Sequence, residues 1–268
     1  MALIWPRGPG FNTGIMLLLA APLNVYLFRM ILFDIDDTLF DNSGSEIKAA
    51  KQFYGNNPGL EHFADQDDFV GQWCATTETY LQMFIDGQLS FQEQRRQRLR
   101  DIFRQPFHDK KADALFEQYL GLYEDSWELF ADAIPCLDRL APLGLGIISN
   151  GNSSQQRQKL AELGIIDYFD IIVVSEDIGI SKPDPQIFLH ACEAANQTPS
   201  DCFYVGDKLD TDATAAGRAG LTGVWLNRHG LNYEQNDVRE ISTLDAFQGD
   251  SKDFAYMEGL AQKYQKDL

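Results

Sequence analysis

The sequence predicts an α/β protein with a doubly wound, Rossmann-like parallel sheet as its core and an inserted α-helical cap. Short apolar runs, typical of buried parallel strands, alternate with amphipathic helical segments along residues 130–248. Residues 45–129 instead carry apolar side chains at helical spacing only, and they separate the first apolar run from the others. The 268-residue chain is long enough for one such core with an insertion. We therefore predict a core of residues 30–44 and 130–248, and a helical cap of residues 45–129.

The first predicted strand leads directly into acidic residues. The apolar run 30–33 is followed by Asp34, Asp36 and Asp37. A strand that ends in carboxylates holds them at its carboxyl edge, where open α/β sheets bind ligands. If the strand continued through these residues, alternation would place Asp34 and Asp36 on one face and point Asp37 away. Two carboxylates on one face repel unless a cation intervenes, which predicts a Mg²⁺ site; a solvated acidic turn is the alternative.

The predicted cap contains several helices. Its apolar residues recur at helical spacing, and Ser90 followed by Glu93 fits a helix N-cap with an acidic residue at its third position. Aromatic residues at such spacing usually pack in a core, and arginines on a helix usually form a solvated face. The cap residues that could instead face a substrate are Trp73, Tyr80, Phe84, Arg95, Arg96 and Arg98.

Residues 130–248 alternate between predicted strands and helices. We predict a helix over 155–163, capped by Ser153–Ser154 and ended by Gly164, and another helix over 186–195 after two prolines. The predicted strands lie over residues 145–148, 171–174, 202–205 and 221–226.

The two ends of the chain carry no clear pattern. We predict that residues 1–29 are a non-structural extension; they include Pro22 within an apolar stretch that is too short to span a bilayer comfortably. A targeting segment is the alternative, because Arg7 precedes a short apolar run. Beyond about Tyr233 the sequence is acidic and weakly patterned, so we expect a peripheral tail, which includes residues 249–268.

Several predicted strands lead into polar side chains that should form one site. The carboxyl ends of the strands meet at one edge of a doubly wound sheet, so residues that follow them converge. These residues are Asp34, Asp36, Ser149, Asn150, Lys182 and Asp207. Asp34 and Asp207 could share one Mg²⁺, and Ser149 with nearby backbone N–H groups could hold phosphoryl oxygens. Lys182 would supply positive charge for the transfer of a phosphoryl group to a carboxylate.

The same residues resemble the four motifs of the haloacid dehalogenase (HAD) superfamily, in the family's order. The matching stretches are Asp34-Ile-Asp-Asp-Thr38 for the first motif, Ile-Ile-Ser149-Asn-Gly for the second, Ser181-Lys182-Pro-Asp-Pro for the third and Val-Gly-Asp207-Lys-Leu-Asp-Thr-Asp212 for the fourth. The resemblance covers about residues 30–244. The helical insertion is similar to the C1 cap of subfamily I, in the branch of soluble nucleotidases, sugar-phosphate phosphatases and flavin-mononucleotide phosphatases.

The resemblance implies the chemical roles. Asp34 would be the nucleophile and a Mg²⁺ ligand. Asp36 would protonate the leaving oxygen and then activate water, and it would offer its backbone carbonyl to the metal. Lys182 would stabilise the charge of the intermediate, and Thr38 would stiffen the loop after the strand.

The resemblance also implies the binding roles. Ser149, with Asn150 and Gly151 beside it, would bind the phosphoryl group. Asp207 would be the second carboxylate on Mg²⁺. Asp212 would be a supporting metal ligand, although an aspartate at this point could simply cap a helix.

Composition narrows the possible partners. A net charge of −18 disfavours nucleic acid and anionic membranes as partners. The cysteines are dispersed without a C-x-x-C pair, which is typical of reduced thiols in a cytoplasmic protein and not of a disulfide framework or zinc site. They are Cys74, Cys136, Cys192 and Cys202. We expect a monomer or homodimer that acts on a small phosphorylated metabolite.

The leading hypothesis is a Mg²⁺-dependent phosphatase that hydrolyses a small phosphomonoester (nucleotide, flavin mononucleotide or sugar phosphate) through an aspartyl-phosphate. A 2-haloacid dehalogenase of the same superfamily is an alternative, but the family's dehalogenases lack the second aspartate of the first motif, and Asp36 is present. A phosphomutase is a further alternative, with a cap that is usually smaller. A catalytically retired binding protein would usually have lost Asp34, Asp36 or Lys182.

Overall fold

The computed structural model describes residues 30–233 and 238–249, which form a parallel sheet with helices on both faces. The strands are β1 (Met30–Phe33), β2 (Leu145–Ser149), β3 (Ile171–Val174), β4 (Cys202–Gly206), β5 (Thr222–Leu226) and β6 (Arg239–Ile241). Their order is β3-β2-β1-β4-β5-β6, and every neighbouring pair is parallel. This is the strand order of a doubly wound Rossmann-like sheet, so the predicted fold class is confirmed.

Four long helices lie between β1 and β2, where the sequence predicts a helical insertion. These helices are α1 (Asn42–Asn56), α2 (Gln66–Ile85), α3 (Phe91–Phe103) and α4 (Asp109–Glu124). The later α-helices of the described residues are α5 (Ala133–Leu140), α6 (Ser153–Glu162), α7 (Ser175–Ile178), α8 (Pro185–Ala194) and α9 (Ala215–Arg218). Because α1 already begins at Asn42, it starts inside the segment that we assigned to the core. The domain boundaries themselves stay a prediction.

The central strand β1 is apolar throughout because it is buried on both faces. Ile31 and Phe33 pack into a cluster with α5, α6 and the inserted helices. Met30 and Leu32 pack into the opposite cluster with α8 and α9. Alternate side chains of a strand point to opposite faces, so a strand between two helical layers needs apolar residues at every position.

The inserted helices enclose an aromatic core. Trp73 is almost completely buried, with its ring centroid 4.2 Å from that of Tyr119 and 5.5 Å from that of Phe53. Such ring pairs add to the stabilisation that burial of their area provides. The Tyr80 hydroxyl donates to a carboxylate of α3, and Phe84 packs against a ring of α3. Trp73 is therefore a packing residue and does not face a substrate.

The expectation of a peripheral tail after Tyr233 is wrong for residues 239–249. The segment 239–241 forms β6 and pairs with β5. Leu244 and Phe247 are fully buried, and the Phe247 ring lies 5.3 Å from that of Phe203 in β4. A three-residue edge strand carries too little alternation to stand out in a sequence, which explains why the pattern was not apparent.

Gly249 closes this segment against the sheet, although it falls within the predicted tail of residues 249–268. Its φ of 63° lies in the left-handed region, and a Cβ atom there would come within 2.8 Å of Ile31 Cδ1. Only glycine meets both requirements without strain. The rest of that tail and the predicted extension 1–29 lie outside the described residues. Within the described ranges, no helix is both long and apolar enough to cross a bilayer.

We predict that Phe247→Ala destabilises the protein by about 3–5 kcal/mol, because it leaves a cavity beneath β4. The melting temperature should fall by at least about 6 °C. Leu231→Ala, at a side chain that is 54% exposed, is the matched control and should change the melting temperature little. Equal melting temperatures for Phe247→Ala and the unaltered protein would contradict the core position of this segment.

Candidate active site

The candidate site lies at the carboxyl edge of the sheet, between β1 and β4. The strand order reverses at this point, and open α/β sheets bind ligands in the crevice that such a reversal creates. Asp34 directly follows β1, and Asp207 directly follows β4. The Asp34 backbone N–H donates to Val205 O at 2.9 Å, which fixes the backbone of Asp34 to the neighbouring strand.

The ammonium group of Lys182 connects several of the predicted site residues. Its Nζ donates to Asp34 Oδ1 at 2.7 Å, to Asp212 Oδ1 at 2.8 Å and to Tyr204 Oη at 2.8 Å. These three contacts use all three ammonium protons. Burial disfavours the charged form, but Asp212 and Asp34 outweigh this effect and raise the pKa of Lys182. The Tyr204 hydroxyl also donates to Ile148 O at 2.9 Å, so β2, β4 and the Lys182 loop are joined.

Three carboxylates form a cluster that lacks sufficient positive charge. One oxygen each of Asp34, Asp207 and Asp212 lies within 4.8 Å of the other two. Burial, followed by the Asp212 and Asp34 carboxylates, raises the pKa of Asp207 to about 8. Burial also raises the pKa of Asp34 to about 7, against the opposing effect of Lys182. Asp207 Oδ1 is buried without a hydrogen-bond partner. Oxygen ligands and unbalanced negative charge fit a hard divalent cation such as Mg²⁺.

Asp212 reaches the cluster because residue 206 is glycine. A Cβ atom on Gly206 would lie 2.5 Å from Asp212 Cγ, so a larger residue would displace this carboxylate. A π-helical turn, Leu209–Thr214, carries Asp212 back over the end of β4. Its Oδ2 accepts from the Lys208 backbone N–H at 3.0 Å. Asp212 therefore does more than cap a helix, because its other oxygen contacts Lys182.

The Asp36 carboxylate lies outside this acidic cluster. β1 ends at Phe33, so the predicted alternation along a continuing strand does not apply to the residues that follow. Asp37 does point away, because its two oxygens accept from the backbone N–H and the hydroxyl of Ser43, each at 2.8 Å. Asp37 has a φ of 59°, and this left-handed turn separates it from Asp36. A metal contact through the Asp36 backbone carbonyl stays a prediction.

Helix α6 holds the Asp36 side chain. Lys159 Nζ donates to Asp36 Oδ1 at 2.6 Å, and Gln156 Nε2 donates to Asp36 Oδ2 at 2.8 Å. Burial opposes ionisation of Asp36, but Lys159 and Gln156 outweigh burial and lower its pKa. Gln156 Nε2 also lies 2.8 Å from Ser149 Oγ, so one amide connects two predicted site residues. The N-cap of α6 is Asn152 and not the predicted serine pair.

Asn150 and Gly151 make contacts within the protein. Asn150 Oδ1 accepts from the Lys182 backbone N–H at 2.8 Å, and its Nδ2 donates to Lys182 O at 2.9 Å. These paired bonds hold the Lys182 loop against the end of β2. The Gly151 N–H, which we expected to bind a phosphoryl group, donates to Ser175 Oγ at 3.0 Å. The position of Asn150 therefore favours a positioning role for its side chain.

The loop after Asp34 is held by its backbone. Thr38 was expected to stiffen this loop, but its hydroxyl oxygen is buried without a partner. Instead Arg228 Nη2 donates to Thr38 O at 2.8 Å, and Arg228 forms two hydrogen bonds with Asp132. The Asp132 carboxylate also accepts from the hydroxyl of Thr243 and from the backbone N–H of Leu244. The final segment of the fold is thus connected to the acidic loop.

Sequence reasoning missed Lys159, Gln156 and Tyr204. Gln156 and Lys159 are three residues apart in α6, so they share a helix face, and Leu160 beside them is fully buried. Polar residues on a helix face that should be apolar are a signal that could have identified them. Tyr204 carries a weaker signal, because an aromatic residue in a buried strand is ordinary.

The comparisons with known proteins place the chain in a family. The family model for "haloacid dehalogenase-like hydrolase" matches residues 28–220, which is more than half of the chain. The chain therefore belongs to this family and is an enzyme of the hydrolase class. It is 28% identical over 236 residues to the glyceraldehyde 3-phosphate phosphatase of Methanopyrus kandleri, covering 84% of this chain and 94% of that one.

Solved structures show the same fold. One is the structure of the putative HAD-hydrolase YfnB from Bacillus subtilis bound to magnesium, with a TM-score of 0.66 and 24% sequence identity. The match covers 81% of this chain and 96% of the YfnB chain, and it shows a likeness of fold alone. A 2-haloacid dehalogenase from Pseudomonas syringae has a TM-score of 0.62 at 26% identity and covers 85% and 99% of the two chains. The chain is therefore similar both to a protein named as a phosphatase and to one named as a dehalogenase.

We predict that Asp207→Asn stabilises the metal-free protein at pH 8. The pKa of Asp207 is raised from 3.8 to about 8, so the folded state binds more protons than the unfolded chain between these values. This carboxyl group therefore destabilises the fold as the pH rises through that window. Removing its charge should raise the melting temperature at pH 8 in EDTA by at least about 2 °C and change it little at pH 4.

Magnesium provides the matching test by thermal unfolding. Mg²⁺ should raise the melting temperature of the unaltered protein. It should do the same for the control variant Asp210→Asn, because Asp210 is an exposed residue near the cluster. It should raise that of Asp207→Asn much less. An equal rise in all three proteins would show that Mg²⁺ acts elsewhere.

Proposed function

We propose that the protein is a Mg²⁺-dependent phosphatase that hydrolyses a small phosphomonoester through an aspartyl-phosphate on Asp34. The observation that carries this proposal is the separation of two carboxylates of one loop into two environments. Asp34 lies in the acidic cluster beside Lys182, whereas Asp36 lies beside α6, where its carboxylate pairs with Lys159. A nucleophile and an acid–base group need such different surroundings.

The contacts of Asp34 and Asp36 suggest which chemical step each carboxylate performs. Lys182 binds Asp34 Oδ1, and no hydrogen bond to Oδ2 is present among the described residues, so Oδ2 is the oxygen that would attack phosphorus. As the phosphorus–oxygen bond to the leaving group breaks, a proton on Asp36 passes to the leaving oxygen. Asp36 then takes a proton from the water that attacks the aspartyl-phosphate, and inorganic phosphate and free Asp34 result.

The protonation of Asp36 depends on the substrate. Lys159 and Gln156 lower its pKa, so it is ionised in the resting enzyme. An arriving phosphoryl dianion raises the pKa of a nearby carboxyl group, which makes Asp36 an acid when it is needed. Asp34, Asp207 and Asp212 would hold Mg²⁺, which would neutralise charge on the phosphoryl oxygens when it is bound.

Haloacid dehalogenation is the second candidate, because one of the similar structures is a 2-haloacid dehalogenase. Two features of this site favour the phosphatase. A departing halide needs no proton, so the Asp36–Lys159 pair would have no function in its release. The cluster of three aspartates fits a divalent cation, whose charge assists the transfer of a phosphoryl group and is not needed when a carboxylate displaces a halide. The relative from Methanopyrus kandleri, a phosphatase by name, supports the same choice.

The proposal also covers the cellular compartment and the oligomeric state of the enzyme. All four cysteines are free, as expected for a reducing cytoplasm. We propose a monomer or homodimer in the cytoplasm that acts on small phosphorylated metabolites. Size-exclusion chromatography with light scattering would distinguish the two oligomeric states.

We predict Mg²⁺-dependent release of inorganic phosphate from a panel of phosphomonoesters, and none in EDTA. Asp34→Asn should lower kcat by at least about 10³-fold, because it removes the nucleophile. Asp210→Asn, which changes an exposed carboxylate without a hydrogen bond to the predicted site residues in the described structure, should retain activity. Release of halide from 2-chloropropionate, with no phosphate release from any ester, would overturn the phosphatase in favour of the dehalogenase.

We predict that Lys159→Met impairs general acid catalysis. Loss of the ammonium that positions Asp36 should lower kcat for an alkyl phosphate by about 10- to 100-fold. It should lower kcat for p-nitrophenyl phosphate less, because nitrophenolate leaves with little need for a proton. Lys159→Arg should restore part of the difference, and Lys110→Met, at an exposed residue, is the control. An equal loss for both substrates would argue against this positioning role.

A further inference from the structure

A cleft opens beside Asp36, between the inserted helices and the start of α6. Asp36, Lys159 and Gln156 line its floor. Residues of α1, α2, α3 and α4 line its other walls. Because Asp36 would protonate the leaving oxygen, the organic part of the substrate would extend into this cleft. The polar groups on the walls of the cleft therefore indicate which functional groups that organic part carries.

Two hydrogen-bond acceptors in the cleft have no partner. Glu46 Oε1 and Gln94 Oε1 are buried and make no hydrogen bond. The Gln94 residue is only 2% exposed, although it lines the cleft. Buried polar groups are normally hydrogen-bonded, so two unpaired acceptors in one cleft call for donors from a ligand.

Donors line the same cleft. Arg98 is buried; its Nη2 donates to Thr77 Oγ1 at 2.5 Å, while its Nε has no partner. Arg98 Nη2 forms an ion pair with Glu46 Oε1 at 3.8 Å, a separation too long for a hydrogen bond. Arg95 makes no hydrogen bond to the described residues, and its guanidinium carbon lies 4.2 Å from the centroid of the Phe91 ring. The cleft thus holds donor and acceptor atoms side by side that lack hydrogen bonds to the described residues, although Arg98 and Glu46 form an ion pair.

We propose that Glu46, Gln94, Arg95 and Arg98 select a polyhydroxylated leaving group, so that the substrate is a sugar or polyol phosphate. A hydroxyl group both donates and accepts, so several hydroxyls on one carbon chain satisfy all of these groups. A carboxylate would pair with Arg95 but would leave Gln94 unpaired and place a second anion beside Glu46. A nucleobase carries its hydrogen-bonding groups only along the edge of a flat ring, so it would leave part of this set unpaired.

The rings of the cleft are already covered. Arg95 lies against Phe91 and Phe116, and Arg98 lies 5.2 Å from the Phe116 centroid and 5.7 Å from that of Tyr119. These cation–π contacts occupy the aromatic surface that a flat ligand would use. The guanidinium groups that lie on these rings are hydrogen-bond donors, so this wall of the cleft favours recognition by hydrogen bonds.

The test rests on the proposed phosphatase activity and compares four esters in Mg²⁺. These are a hexose 6-phosphate, thymidine 5′-monophosphate, phosphoglycolate and p-nitrophenyl phosphate. The hexose ester should have the highest kcat/KM. Glu46→Gln and Gln94→Leu should each lower kcat/KM for it by about 10- to 100-fold, through KM more than kcat, and lower that for p-nitrophenyl phosphate much less. Glu78→Gln, at an exposed residue next to Thr77, is the matched control.

The outcomes separate the two proposals. Preference for thymidine 5′-monophosphate, phosphoglycolate or p-nitrophenyl phosphate would overturn the sugar assignment and leave the phosphatase standing. So would equal losses on all four esters in variants whose circular dichroism and melting temperature match the unaltered protein. No phosphate release from any ester by the unaltered protein would overturn the phosphatase itself, and the sugar assignment with it.

Discussion

The site depends on one buried ammonium between two carboxylates. Lys182 is 5% exposed, and an unpaired charge at such depth would be strongly destabilising. Its contacts with Asp34 and Asp212 supply the compensation, and the Tyr204 hydroxyl completes its hydrogen bonds. Each partner comes from a different part of the chain, so the ammonium also determines how these parts meet. Removing it would leave the acidic cluster with no buried cation among its direct partners in the described structure.

Two carboxylates of the same short loop are held in different ways. The Asp34 backbone is bonded to β4, and its side chain faces a fixed ammonium, so it has little freedom. Asp36 lies beyond the strand, and its carboxylate accepts hydrogen bonds from two side chains of α6. A nucleophile benefits from the first arrangement, because attack requires alignment. A proton carrier benefits from the second, because it must serve the leaving oxygen and then water.

Sequence reasoning predicted those parts of the site that local pattern encodes. Asp34, Ser149 and Asp207 follow apolar runs, and parallel strands bring the ends of such runs together whatever the loops between them do. Lys159 could not be recognised in this way, because its role depends on which face of α6 meets the loop after β1. Phe247 was missed for a related reason, since its burial depends on contact with Phe203, far away in the sequence.

The polar atoms of the cleft that lack hydrogen bonds likewise could not be predicted from the local sequence. Glu46 is in α1 and Gln94 is in α3, and no sequence pattern places them in one cleft. Their lack of partners is visible only once the helices are packed. Local sequence therefore points to the chemistry of the reacting group, whereas the chemistry of the leaving group emerges from tertiary structure.

The connection from Leu244 through Asp132 and Arg228 to Thr38 has a consequence for synthesis of the protein. The acidic loop is among the first described residues to leave the ribosome, and the segment that braces it is among the last. A nascent chain that has completed five strands already contains all eight predicted site residues, yet its loop after β1 lacks this brace. Chains that end before Leu244 would therefore carry the chemical groups of the site without the hydrogen bonds that fix the loop after β1 in position.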